Sequence, residues 1–303
     1  MMFQKSKLSE FFEENTLTTG EHILFIDIHN LVYRTLAIAS MKVPDDLEFN
    51  YWKHLFVNNI FSSIRQFEPS KVIFAFDGRK LWRKDIYKQY KEGRKEARDK
   101  STIDFASFWK VLDTFMPDMR NSFSNMYFLK MDECEADDII AILTKEKFKN
   151  SEKVTIISTD KDFIQLLNMR NVNLYNPIKK ANVQSINPVK DLQIKILMGD
   201  KSDNIPSVRK GTGPKKALSI IQEGLDNYLD SCEDVKKAYE RNRSIIDFNL
   251  IPQRIKDVVL GGYDGYNITD YNGTKMWQFL LKNNLAKLAD DLNHFGPFVR
   301  RIK

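Results

Sequence analysis

Nine acidic side chains occupy five short stretches of this chain, and their placement suits metal-dependent phosphate chemistry. Asp27 follows Ile23-Leu24-Phe25-Ile26, and Asp77 follows Val72-Ile73-Phe74-Ala75-Phe76. Glu135, Asp137 and Asp138 open a helical pattern. Asp160 and Asp162 follow Val154-Thr155-Ile156-Ile157-Ser158, and Asp200 and Asp203 lie in a loop led by Gly199. One aspartate at a strand end is commonly only a helix cap or turn former. Recurrence in five segments argues for a shared site instead. Three of the preceding runs read as buried strands. In parallel α/β sheets the ligand crevice lies at the carboxyl ends of the strands, so these acids would converge. Glu135 and Asp138 share a helical face, and Asp160 and Asp162 would aim to one side with Lys161 turned away.

So much negative charge in one place requires cations or protons. No His or Cys is interleaved with the acids, and an all-oxygen set selects Mg²⁺ or Mn²⁺ over zinc. Two such ions about 4 Å apart can drive phosphodiester hydrolysis. The four histidines, His22, His29, His54 and His294, lack paired-ligand spacing and read as surface or core residues. The two cysteines are isolated, and Cys134 reads as a small buried residue.

A basic strip complements the acids. Between Arg79 and Lys100 there are ten Lys or Arg and four Asp or Glu, so this window holds the whole net charge of +6. On one continuous helix Arg83, Tyr87, Tyr90 and Arg94 would form one stripe, with Lys84, Lys88, Lys91 and Lys95 beside it. Cations there bind phosphates, and tyrosine rings offer stacking for unpaired bases. Gly93 interrupts the pattern. Further on, Gly211-Thr212-Gly213-Pro214-Lys215-Lys216 places a tight Gly-x-Gly turn before a helix, a backbone arrangement that can hold a phosphate.

The elements that must position these residues fall into two regions. Strands are predicted at 22–26, 71–76, 126–130, 154–158 and 172–175, with helices at 51–66, 104–116 and 136–148 between them. This alternation implies a mostly parallel sheet covered on both faces. From residue 188 the pattern is helical, with short helices at 191–198, 214–223, 232–241, 252–260 and 275–282. The division is a tail at 1–20, an α/β domain at 21–187 and a helical domain at 188–303. With 42% hydrophobic and 29% charged residues the chain reads as globular. It has no apolar run near the roughly 20 residues that span a bilayer. The polar N-terminus lacks a signal core, which predicts a cytoplasmic protein, and nothing suggests an oligomer seam, so a monomer is expected.

In the order of these motifs the chain resembles the 5′-nuclease, or flap endonuclease, family. The most specific parts are Glu135-Ala136-Asp137-Asp138, Ser158-Thr159-Asp160-Lys161-Asp162 and Gly199-Asp200-Lys201-Ser202-Asp203-Asn204-Ile205-Pro206. The resemblance implies a PIN-like nuclease domain and a helical domain with a helix–three-turn–helix element. It implies two Mg²⁺ ions held by Asp27, Asp77, Glu135, Asp137, Asp138, Asp160, Asp162, Asp200 and Asp203. A helical arch built around residues 83–98 would cover the site, with Lys91 and Arg94 on the scissile phosphate. Gly211 and Gly213 match the hairpin that holds duplex backbone around a K⁺ ion, although Thr212 departs from the usual Val or Ile. Members of the family remove RNA primers and adjacent DNA from 5′ ends and cut 5′ flaps, so DNA and RNA–DNA hybrids are the implied substrates.

The segment Leu8-Ser9-Glu10-Phe11-Phe12-Glu13-Glu14 sets Leu8, Phe11 and Phe12 in a polar tail. It is similar to short peptides that replication proteins insert into sliding clamps. A clamp and a single-stranded-DNA-binding protein are therefore expected partners. Two other readings explain less. A non-catalytic nucleic-acid binder leaves the acids without a purpose, and a phosphatase of small esters leaves the Lys–Tyr strip and the hairpin without one.

Overall fold

The computed structural model describes residues 20–302. The tail residues Leu8, Phe11 and Phe12 lie outside that range. A six-stranded sheet organises the chain: β1 (His22–Asp27), β2 (Lys71–Phe76), β3 (Tyr127–Lys130), β4 (Lys153–Ile157), β5 (Val172–Asn176) and β6 (Ala181–Asn182). The spatial order is β3-β2-β1-β4-β5-β6. The first five strands are parallel, and β6, absent from the sequence reading, pairs antiparallel at the edge.

β1 is the central strand and is buried on both faces. Side chains alternate across a strand, so its residues separate into two cores. Leu24 and Ile26 join Val72, Phe74, Trp52 and Phe115 on one face. Ile23 and Phe25 join Ile73, Val154, Ile156 and Ile140 on the other. Helices α1 (Ile28–Lys42), α2 (Asn50–Phe67) and α5 (Phe105–Ser122) cover the first face, and α6 (Ala136–Ile142) covers the second. The strand order reverses direction between β1 and β4. Connections leave to opposite faces there and open a crevice at the strand ends.

The basic strip is not one helix. It forms a single turn, α3 (Arg83–Ile86), then tight turns, then α4 (Gly93–Asp99). Lys91 adopts a left-handed φ of 59°, which no continuous helix allows. The expected Arg83–Tyr87–Tyr90–Arg94 stripe therefore does not exist.

The C-terminal region is helical: α7 (Pro188–Met198), α8 (Pro214–Asp230), α9 (Glu233–Ile246), α10 (Gln253–Asp264), α11 (Gly273–Lys282), α12 (Ala286–Asp290) and α13 (Leu292–Val299). It does not pack as one body. Ile196, Leu197, Ala217, Ile220 and Ile245 form their own cluster, which also takes in Tyr90. Phe248, Ile255 and Val259 pack on the α6 face of the sheet. Met276, Phe279, Leu280 and Leu288 complete the α2–α5 core. The helices after residue 188 thus pack on both faces of the sheet as well as on one another.

Candidate active site

The crevice gathers carboxylates from four strand and helix ends. Asp27 ends β1 and caps α1, accepting from the Asn30 amide at 3.1 Å and the Ser158 hydroxyl at 3.1 Å. Asp77 follows β2 and accepts from the Ala136 amide at 2.8 Å, which ties it to the start of α6. Asp137 lies in the first turn of α6. Asp160 follows β4, and its carboxylate accepts the Asp162 amide at 2.8 Å. Asp137, Asp160 and Asp162 each bring one oxygen within 4.8 Å of the others. Asp200 and Asp203 are delivered by the loop after α7. Gly199 is required there, because its φ is +68° and an added Cβ would lie 2.3 Å from the Ile205 carbonyl oxygen.

The acids divide by what neutralises them. Glu135, Asp138 and Asp203 are compensated by protein cations. Arg83 reaches Glu135 at 2.7 Å and Asp138 at 2.8 Å, and Arg94 reaches Asp203 at 2.6 Å. Lys91 is bonded to Glu135, and the Tyr90 hydroxyl bridges Glu135 at 3.0 Å and Asp203 at 3.3 Å. Burial alone would raise Glu135, but Arg83 and Lys91 hold its carboxyl below the usual range. Asp162 and Asp200 share the Lys195 ammonium. Burial opposes charge on Asp200 too, yet Lys195 and the Ser202 hydrogen bonds keep it at about 2.

Asp27, Asp137 and Asp160 form the third group. Burial, then Asp77 and Asp160, raises Asp27 to about 7. Burial, then Asp160 and Asp27, pushes Asp137 well above the carboxylate range. Burial raises Asp160 despite the opposing charges of Lys195 and Lys91. Largely covered carboxylates that repel one another and offer only oxygen form a donor set that fits a hard divalent cation.

Several expected site residues take other places. Asp138 is fully buried, and its oxygens are engaged by the Trp82 indole at 3.0 Å, the Glu135 amide at 2.9 Å and Arg83. These contacts hold it in the wall of the crevice. Arg83 and Tyr90 are 3% and 4% exposed, so neither meets a nucleic acid as the stripe implied. The cause is the buried negative charge of Glu135 and Asp138, which draws the guanidinium inward. Lys84 and Lys88 are exposed, and Tyr87 is partly covered with Arg241 5.2 Å from its ring. The side chain of Lys95 lies outside the described residues. Gly211 has φ +82° and Gly213 caps α8, whose first turn carries Pro214 and the exposed Lys215 and Lys216.

A groove of about 1410 Å³ runs from Asp160, Asp162 and Asp200 to Gly211, Thr212 and Gly213. A second opening, of about 620 Å³, contains Asp27, Asp77, Asp137, Asp160, Lys91 and Arg94. The same opening contains His29, Asn30, Tyr33 and Arg34, which the sequence reading missed. Their spacing after Asp27 places them along half-buried turns of α1, a signal visible only once that helix is assigned. Lys195 was missed because nothing in its local sequence sets it apart from other helical lysines. His29 is not a bystander: its Nδ1 accepts the Asp77 amide at 3.2 Å.

Residues 22–195 match the family described as 5′-3′ exonuclease, N-terminal resolvase-like domain, and 187–295 match T4 RNase H, C terminal. The chain belongs to the 5′-3′ exonuclease family and is a nuclease. Among its relatives is the ribonuclease H of Enterobacteria phage T4, 27% identical across 91% of this chain and 96% of that protein. The flap endonuclease Xni of Shewanella denitrificans is 30% identical across 75% of this chain and 91% of its own. The match to DNA polymerase I of Bacillus subtilis covers only 28% of that enzyme. The phage T5 D15 flap endonuclease, in a complex with DNA and metal ions, shares the fold at a TM-score of 0.63. Its identity is 19%, over 89% of this chain and 99% of that one.

Proposed function

We propose that this nuclease is a Mg²⁺-dependent 5′-to-3′ exonuclease and flap endonuclease that removes RNA primers and adjacent DNA during phage lagging-strand replication. The observation that carries this reading is the group Asp27, Asp137 and Asp160, the first buried and the other two half-buried, mutually repelling and without a contacting protein cation among the described residues. Asp77, Asp162 and Asp200 complete the oxygen set, while Glu135, Asp138 and Asp203 orient it through Arg83, Lys91 and Arg94. Divalent ions held there would supply an acidified water and neutralise charge on the leaving oxygen. Mn²⁺ is expected to substitute for Mg²⁺.

The chain's own residues do the rest. Lys91 and Arg94 stand over the acids and attract the scissile phosphate while remaining anchored to Glu135 and Asp203. The groove toward Gly211 and Gly213 accepts duplex backbone, and Lys215 and Lys216 at the α8 start add positive charge. The buried Thr212 hydroxyl, with no hydrogen-bond partner among the described residues, is compatible with K⁺ at this turn. Contacts of this kind set register without reading bases, so specificity follows substrate structure. The test is a 5′-labelled duplex, forked or nicked and with an RNA or DNA 5′ end. Product lengths are compared in Mg²⁺ and in EDTA. Cleavage that persists under chelation removes the metal assignment.

Among the described residues no helix is long and apolar enough to cross a membrane. Action in the host cytoplasm, as a monomer with a sliding clamp and a single-stranded-DNA-binding protein, completes the proposal. Deleting residues 1–16 should leave intrinsic cleavage intact and remove stimulation by the clamp.

A further inference from the structure

Behind the catalytic opening lies a second cavity of about 380 Å³, between α5 and the β2–β3 edge of the sheet. Its walls are apolar: Val32, Phe76, Trp109, Leu112, Met116 and Phe128. Its polar lining is two cations, Lys130 and Arg120, and one carboxylate, Asp113, a net positive set. Lys130 has no carboxylate partner among the described residues, and the Arg120 guanidinium lies 5.4 Å from the Tyr266 ring. His29 lines both this cavity and the opening that holds the acids, and Phe76 directly precedes Asp77. Trp109 is fixed by edge contact with Tyr33 at 6.0 Å and by stacking with Phe105 at 6.2 Å.

Taking the chain as a nuclease of the kind just proposed, we infer that this cavity receives the nucleobase of the first unpaired nucleotide on the 5′ side of the scissile phosphate. Three observations converge on that occupant. The cavity shares a wall with the catalytic opening, so a strand with its phosphate near Asp27 and Asp77 has its next residue here. The walls are aromatic and aliphatic, which suits the face of a base, and the size falls within the range of small-ligand pockets. The lining offers two cations against the single carboxylate of Asp113, a net positive charge for the phosphate that leads the base in. A paired base has its face covered by the stack, so the pocket selects for an unpaired one. It would thus distinguish a flap from a flush nick by occupancy, without reading sequence.

The probe is a nicked duplex bearing one unpaired 5′ nucleotide, 2-aminopurine, bound in Ca²⁺ so that fluorescence is read without turnover. Binding to the wild-type protein should quench the probe severalfold. Trp109→Ala should abolish the quench, and Trp109→Phe should restore most of it. Leu112→Trp, which fills the cavity without removing the ring, should also abolish it. Circular dichroism confirms that each variant is folded. In Mg²⁺, replacing the probe nucleotide by an abasic one should raise the wild-type KM about tenfold with kcat little changed, and Trp109→Ala should bring that ratio close to one. Unchanged fluorescence on binding, or a quench that survives both Trp109→Ala and Leu112→Trp, overturns the pocket while the nuclease reading stands. If neither the flapped nor the flush-nicked duplex is bound, and neither is cut in Mg²⁺, the proposed exonuclease and flap activity fails and the pocket falls with it.

Discussion

Asp27→Asn isolates the cost of assembling the acidic crevice. Asparagine keeps the shape and the N-cap acceptor for the Asn30 amide, and the Ser158 hydroxyl can reverse its role toward the new amide. Only the charge is lost. The Asp27 carboxyl lies at about 7 in the folded chain against 3.8 ordinarily, because burial and then Asp77 and Asp160 disfavour its charge. The native state therefore holds its proton more tightly than the unfolded state. The stability penalty grows as pH rises from about 4 and is complete above about 7. A shift of that size corresponds to about 4 kcal/mol, and sharing with its titrating neighbours makes about 2–4 kcal/mol the expected gain at pH 8. At pH 5, where the native carboxyl is mostly protonated, the gain should be smaller, about 1–2 kcal/mol. Urea unfolding in EDTA at the two pH values measures both. Adding Mg²⁺ should reverse the ranking. The wild type gains roughly 2.7 kcal/mol at a hundredfold excess over its Kd, while the variant gains less and does not cut. A variant less stable than wild type in EDTA at both pH values would refute the claim that this carboxylate is held against its own repulsion.

Arg83→Met leaves Glu135 and Asp138 buried without their guanidinium, so a loss of about 3–5 kcal/mol is expected in urea unfolding. Cleavage should fall too, because Glu135 orients Lys91. Asp137→Asn or Asp160→Asn should abolish cleavage while a gel-shift assay shows retained DNA binding; full activity in either variant would contradict the site. Lys91→Ala should slow single-turnover cleavage about a hundredfold, with divalent-ion binding by calorimetry retained.

Local patterns carried much of the fold. The runs before Asp27, Asp77 and Asp160 are β-branched or aromatic, and strands form there to within a residue or two of the expected bounds. β6 escaped notice because two exposed residues at an edge carry no periodic signal. α8 runs seven residues past its expected end, through a kink at Gly224 with φ 115°, because glycine tolerates there what a punctuation rule reads as a stop. The basic strip misled for a related reason. Helical spacing is a local property, whereas the turn at Lys91 is imposed by the Asp203 carbonyl oxygen, which accepts its amide at 2.9 Å from more than a hundred residues away.

By itself the amino-acid order determined which residues carry charge and where strands end in acids, and hence the expectation of a hard cation and a phosphate as ligands. Those are consequences of side-chain type and of the short range of backbone preferences. Only the tertiary structure decided which acids remain without a cation. Arg83 could neutralise Glu135 and Asp138, or face solvent and bind phosphate, and its residue type permits either. Lys195 could be an ordinary surface lysine until α7 sets it between Asp162 and Asp200. Compensation depends on distances of a few ångströms between residues far apart in the chain, and burial sets how much each uncompensated charge costs. Both quantities come into being only when the sheet, its two cores and the returning C-terminal helices are assembled.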